Sequence, residues 1–202
     1  MLQYILDRFP HEIALPDGAQ CTVRPLEAKD EAELERFHLS IPEEDRMFIK
    51  DRISDESVFH EWCQNIDLDQ NFLLLAFDGD KIVADMTLHQ RLAGWRRHIG
   101  LVSSLTHPDY RGLNLVHILL SEVVDIARHC GLSRLEARFN AERDTAIAAF
   151  LQAGFIQLAR IPEYVIDQHD SLHDYVLIGK SLAHAEEAPC LATAAAVEES
   201  AV

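Results

Sequence analysis

A chain of 202 residues, 48% of them hydrophobic, carries enough apolar material for one domain with a core that needs no covalent staples. Its 34 acidic against 18 basic side chains leave a net charge of −16, which argues against nucleic acid and anionic membrane as partners, because displacing phosphate counterions needs clustered Lys and Arg. Four scattered cysteines (Cys21, Cys63, Cys130, Cys190) form no Cys-x-x-Cys pair, and His169 and His173, four residues apart, flank a turn and read as solvated loop residues rather than ligands, so neither a disulfide framework nor a metal site is expected.

Residues 1–19 read as a loosely attached lead-in closed by the turn Pro16-Asp17-Gly18, and residues 20–182 as the domain proper. Gln20–Leu26 alternates as a half-buried strand. Asp30 with Glu33 predicts a capping box that opens a helix carrying Leu34, Phe37, His38 and Ile41 at helical spacing, and Val58, Phe59, Trp62 and Ile66 repeat that period. Phe72–Phe77, the turn Asp78-Gly79-Asp80 and Ile82–Gln90 predict an antiparallel hairpin. Gly94-Trp95 interrupts the pattern before a strand at Ile99–Thr106.

A helix with Val116, Leu119, Leu120, Val123, Ala127 and Cys130 on one face follows, closed by Gly131. Leu135–Phe139 reads as a short strand, Asp144–Ala153 as a helix stopped by Gly154, and Phe155–Ile166 with Tyr175–Leu182 as a final hairpin around Gln168–Ser171. Residues 183–202 are rich in Ala and Glu and lack aromatic residues, so they are expected to form a disordered tail. The sequence shows no basic-plus-apolar leader and no long apolar run, from which a cytoplasmic location is expected.

The segment His107-Pro108-Asp109-Tyr110-Arg111-Gly112-Leu113-Asn114-Leu115-Val116 carries the chemistry. It joins an apolar strand to a helix start, where unpaired N–H groups and the positive end of the helix dipole gather, and Arg111 adds a cation. Phosphate is the natural guest. The segment resembles the acetyl-coenzyme A loop of the GNAT superfamily of N-acetyltransferases, Arg/Gln-x-x-Gly-x-Gly/Ala behind a Val-x-Pro-like strand end. Arg111 stands at its first position, and Asn114 and Val116 stand at the two glycine positions.

Other segments carry the same resemblance. Thr22-Val23-Arg24-Pro25-Leu26 is similar to the opening strand, and Ser40–Arg46 to a segment of one bacterial subgroup. Asn140, Ala146-Ile147 and Gly154-Phe155 resemble Asn-x-x-Ala-Ile-x-x-Tyr-x-x-x-Gly-Phe, with a longer spacing after Asn. The resemblance spans Cys21 to Leu182. It implies an α/β (α+β) fold with a mixed, mostly antiparallel sheet of about seven strands flanked by helices. It also implies transfer of an acetyl group from acetyl-coenzyme A, without metal, to a small-molecule amine or a protein lysine, and a possible homodimer.

By the same resemblance, Leu105 and Thr106 would hydrogen-bond the pantetheine arm in a gap between two strands. Arg111, Gly112, Leu113, Asn114, Leu115 and Val116 would hold the pyrophosphate, and Asn140 would contact the pantetheine or orient the strand end. Three departures stand out. Val116 puts a β-branched side chain where the backbone approaches phosphate, Phe150 replaces the Tyr that protonates the leaving thiolate, and no carboxylate lies between Gly100 and Val102. Glu136 and Tyr164, with Asp85 and His89, are the candidate replacement acids and bases. The rival to the enzyme is a GNAT-like domain that has lost catalysis and serves as a ligand-binding or protein-interaction module.

Overall fold

Phe72-Leu73-Leu74-Leu75-Ala76-Phe77 has no polar side to offer water, and such a run is stable as a strand only where both faces of a sheet are covered. The computed structural model, which describes residues 5–42, 45, 56–167 and 169–182, covers both. The elements run β1 (His11–Ala14), β2 (Gln20–Pro25), α1 (Glu31–Ser40), α2 (Glu56–Gln64), β3 (Asn71–Asp78), β4 (Lys81–His89), β5 (Ile99–Thr106), α3 (Leu115–His129), β6 (Arg134–Asn140), α4 (Asp144–Gln152), β7 (Ile156–Ile166) and β8 (Leu172–Ser181). Short 3-10 turns lie at Ala28–Asp30 and Pro108–Tyr110.

The strands form one sheet in the order β1-β2-β3-β4-β5-β6-β8-β7, parallel only between β5 and β6. Eight strands stand where about seven were expected. The extra one comes from the lead-in: β1 pairs with β2, His11 opposite Val23, and Ile5 and Leu15 are buried, so this stretch is packed rather than loose. The tail 183–202 and, within Ser40–Arg46, the residues Glu43, Glu44 and Arg46 lie outside the described residues.

The sheet divides the core. Phe72, Leu74 and Ala76 of β3 join Met86, Leu88 and Val102 under α3, whose Leu119, Leu120 and Val123 face them. Leu73, Leu75 and Phe77 point the other way, against Leu34 and Phe37 of α1 and Phe59 and Cys63 of α2. Each fully buried side chain of this size contributes roughly 1.5–3 kcal/mol, so the period-2 alternation of β3 is held from both sides.

Helix ends follow local chemistry, with one correction. Gly131 (φ +77) and Gly154 (φ +87) occupy the left-handed position after α3 and α4. Leu132 N–H then donates to Ala127 O at 3.0 Å and Phe155 N–H to Phe150 O at 3.1 Å, which satisfies carbonyls that the helices leave unpaired. The capping box expected between Asp30 and Glu33 does not form. Arg24 donates twice to the Asp30 carboxylate (2.6 and 2.7 Å), Glu27 N–H donates a third bond (2.9 Å), and Glu33 accepts from Ile82 N–H instead. Arg24 is the cause that holds the Asp30 carboxyl below its ordinary value against the opposing effect of burial.

Candidate active site

The parallel pair opens partway along its length. Residues of β5 pair with β6 from Ile99 opposite Arg134 to Val102 opposite Ala137, and there the pairing stops. Beyond that point β5 stays on β4 as far as Thr106 opposite Ala84, and β6 stays on β8 as far as Asn140 opposite Tyr175. Two strands that each keep their outer neighbour while losing one another leave a gap. Leu105 N–H donates to Asp85 Oδ1 (2.9 Å) and His107 N–H to Val83 O (2.9 Å), both toward β4. Amides alternate sides along a strand, so those of Ser104 and Thr106 face the gap. Leu105 itself packs its side chain on the α1–α2 cluster.

At the end of β5 the chain makes the turn Pro108–Tyr110, pinned by Tyr110 Oη donating to Asp78 Oδ2 (2.6 Å). That bond, with burial, pushes the Tyr110 phenol up to about 12, so it holds its proton. Burial, with Lys81 nearby, lowers His107 below its ordinary value. Gly112 (φ +79) has open space around it, and Asn114 takes the left-handed conformation (φ 65, ψ 8) that Asn tolerates better than other residues with a side chain. Asn114 is the N-cap of α3, yet its side chain makes no capping bond, and the first turn carries no acidic residue. The N–H groups at the start of α3 therefore keep capacity for an anion. Leu115 is buried, and Leu113 and Val116 are half-buried against the core, which directs the valine at the second glycine position inward.

Two residues at the gap, Arg143 and Asp45, were not legible as site residues in the sequence, whereas Arg111 and Asn140 were. Arg111 and Arg143 both donate to the carboxylate of Asp45, Arg111 from the loop after β5 and Arg143 from the connection after β6. Asn140, at the end of β6, is 5% exposed, and its Oδ1 has no hydrogen-bond partner. A buried carbonyl oxygen left in that state signals an absent donor. Arg143 had one sequence signal, its place three residues past Asn140, whereas Asp45 had none.

The candidate acids and bases separate by environment. Glu136 is buried and ion-paired to Arg96 Nη2. Tyr164 lies 64% exposed on the sheet-edge strand β7, its ring against Tyr175 (5.5 Å). Phe150 is fully buried between Phe139 and Phe155 (5.3 and 5.1 Å), a core residue with no proton to give. Asp85 is buried with His38, whose Nε2 lies 3.1 Å from Oδ2 without the alignment of a hydrogen bond. His89 sits differently. Its Nδ1 is 2.8 Å from Asn71 Oδ1 and its Nε2 is 3.1 Å from Ser103 Oγ, at the residue where β5 leaves β6. With Nδ1–H donating to the amide oxygen, Nε2 is left as the proton acceptor facing Ser103.

A cavity of about 1000 Å³ lies elsewhere, between α1 and the β3–β4 turn, lined by Arg24, Arg36, Asp78, Lys81 and His107 among others. Among the described residues no helix is long and apolar enough to cross a membrane.

A mixed, mostly antiparallel sheet split at its one parallel pair, beside a loop that ends in an open helix start, is the frame that resemblance to the GNAT superfamily implies. The chain belongs to the Acetyltransferase (GNAT) family, whose profile matches residues 32–155. Solved structures agree on the fold. The GNAT domain of S. lividans PAT superposes with a TM-score of 0.72 at 19% identity, over 86% of this chain and 97% of that one. A ribosomal-protein-S5-alanine acetyltransferase from Vibrio fischeri gives 0.70 at 15% identity, over 80% and 92%. The Salmonella typhimurium protein yncA, solved with its cofactor acetyl-CoA, gives 0.69 at 19% identity, over 81% and 95%. No curated protein sequence matches the chain.

Proposed function

We propose that this protein is an N-acetyltransferase that uses acetyl-coenzyme A to acylate an amine. The observation that carries the reading is the gap between β5 and β6, with inward-facing amides at Ser104 and Thr106 and the orphaned Oδ1 of Asn140 at its end. Those groups fit a pantetheine arm laid in as an added strand, with Asn140 Oδ1 accepting an amide N–H. The amides of Leu115 and Val116, reached through Gly112 and Asn114, with the cation of Arg111, fit a diphosphate. Coenzyme A would supply the acetyl thioester.

The chain's own residues do the rest. An acceptor amine must shed a proton as it becomes an amide, and His89 Nε2, directed at Ser103 beside the gap, is the base that the geometry favours. It fills the role for which the strand lacks a carboxylate. Glu136, tied to Arg96, would stiffen the floor of the cleft, and Tyr164 stands at its rim. Phe150 cannot donate, which leaves protonation of the leaving group to water. The acceptor is a small amine or a protein amine. Among the described residues the outer edge of β7 has no strand partner, and with Ile156, Tyr164 and Ile166 more than half exposed it supports a second copy of the chain as partner.

Calorimetric titration with acetyl-coenzyme A, followed by thiol release with a panel of polyamines and peptide amines, tests the reading. Binding with amine-dependent thiol release is expected. No heat and no thermal stabilisation at millimolar acetyl-coenzyme A, on folded protein, would sink it. The buried Phe150 and the paired Glu136 favour one second reading, a domain that binds coenzyme A without catalysis, for which binding would persist and thiol release would be absent from every amine tested.

A further inference from the structure

Past the point where β5 leaves β6, one face of the sheet carries a charge of its own. Ala137, Val176 and Ile178 belong to the core under α3, so Arg138, Tyr175 and Leu177, which alternate with them, point to the opposite face. On that face the cluster beneath α1 and α2 takes Leu73, Leu75, Phe77, Ile82 and Leu105 from β3, β4 and β5, and among the described residues none from β6, β7 or β8. The register sets Leu101 opposite Glu136 and Val102 opposite Ala137, so the next level puts Ser103 and Arg138 across the gap from one another, both exposed. Ser103 Oγ is the group that faces His89 Nε2 at 3.1 Å. Arg138 thus stands across from the candidate base.

Nearby carboxylates are spoken for. Glu136, two residues back on the same face, is paired with Arg96, and Glu142 and Asp167 are paired with His173. Among the described residues Arg138 has no hydrogen-bond or ion-pair partner. Burial raises the Tyr175 phenol above its ordinary value and Arg138 opposes that, which places the guanidinium near the Tyr175–Tyr164 pair. A guanidinium where an acceptor amine must dock acts twice. It repels a second cation, which disfavours a polyamine although the chain totals −16, and it lowers the pKa of an ammonium beside it, releasing the neutral amine that attacks. A carboxylate on the same acceptor turns the repulsion into a charge-assisted, bidentate contact.

We propose that the acceptor is an amine that also carries a carboxylate, of the amino-acid type, and that Arg138 is the residue that selects it. The inference rests on the N-acetyltransferase reading and names its substrate class. With the carboxylate on Arg138, the amine nitrogen lies toward Ser103 and His89. The N–C bond forms as the thioester C–S bond breaks, the amine proton passes to His89 Nε2, and the thiolate takes a proton from water.

The test measures thiol release from acetyl-coenzyme A by wild type and Arg138→Gln with free amino acids, each matched to its own carboxamide, and with spermidine. Wild type is expected to use at least one amino acid with kcat/KM about tenfold or more above its carboxamide and above spermidine. In Arg138→Gln that preference is expected to fall to within about twofold, through KM rather than kcat, with acetyl-coenzyme A affinity by calorimetry unchanged. Carboxamides or spermidine used by wild type as well as the amino acids, a preference that survives Arg138→Gln, or a loss of acetyl-coenzyme A affinity matching the loss of preference would overturn the proposal while the acetyltransferase reading stands. If Arg138→Gln does not fold by circular dichroism, the wild-type preference decides alone. If wild type binds no acetyl-coenzyme A, or releases thiol with no amine, the N-acetyltransferase reading fails and takes this inference with it.

Discussion

Replacing Asn140 by Leu separates what a residue does for the fold from what it does for a ligand. The Asn140 Oδ1 is buried without a partner, a state that costs roughly 1–3 kcal/mol against a satisfied or apolar group of the same shape. Leucine is close to isosteric and removes that cost, less some misfit against its surroundings, so a net gain of about 1 kcal/mol is expected. For a domain of this size that raises the melting temperature by about 2–4 °C. The same change deletes an acceptor that a pantetheine amide would use, worth about 0.5–1.5 kcal/mol, or about two- to tenfold in affinity. The variant should thus melt higher alone, gain less from acetyl-coenzyme A, and bind it more weakly, as read by thermal denaturation with and without ligand and by titration. A variant that melts lower than wild type and binds acetyl-coenzyme A equally well would refute the reasoning, since Asn140 would then be satisfied in the fold and idle toward the ligand.

Other expectations follow from single environments. Val116→Gly should lose about 2 kcal/mol, from helix propensity and from the half-buried packing of the side chain, while coenzyme A affinity stays within twofold, as denaturant titration and calorimetry would show. Phe150→Tyr should cost about 2 kcal/mol or more by placing a hydroxyl in a fully buried aromatic cluster, and should leave thiol release no faster. His173 is 2.9 Å from both Glu142 Oε1 and Asp167 Oδ2; hydrogen bonding to Asp167 raises the imidazole pKa, and His173 holds Asp167 at about 2. The Asp167 share of stability is present above the ordinary carboxyl value and is lost as pH falls toward 2, whereas the His173 share is full below its ordinary value and is lost as pH rises through the raised one. The melting advantage of wild type over His173→Gln should therefore be largest between pH 3.8 and 6.5 and shrink in alkaline buffer.

Much of the frame was legible because it is local. The apolar run of β3, the glycines after α3 and α4, and the turn at Asp78-Gly79-Asp80 each state their conformation within a few residues, and the sheet follows from them. Asn114 was legible too, as an Asn at a glycine position that takes φ 65. β1 was not, since four residues of mixed exposure make no periodic signal and are fixed only by pairing with β2. The loop was readable as a loop, but the partner of its arginine was not. Asp45 lies 66 residues from Arg111 and 98 from Arg143, and a carboxylate at that distance looks like any other of the 34 acidic side chains. The same holds for His89 and Ser103, which meet only because β4 and β5 pair in the register that sets Leu101 opposite His89. Local propensity shows where a strand runs, and only tertiary pairing shows where it stops pairing.

The central claim is that the opening between β5 and β6 receives the pantetheine arm. Backbone hydrogen exchange with and without acetyl-coenzyme A tests it most directly, because an added strand would engage amides that now face the gap. The account predicts slowed exchange at Ser104 and Thr106 and at the amides that open α3, with little change along the β7–β8 hairpin. Protection confined to the cavity between α1 and the β3–β4 turn, with Ser104 and Thr106 exchanging as before, would contradict it.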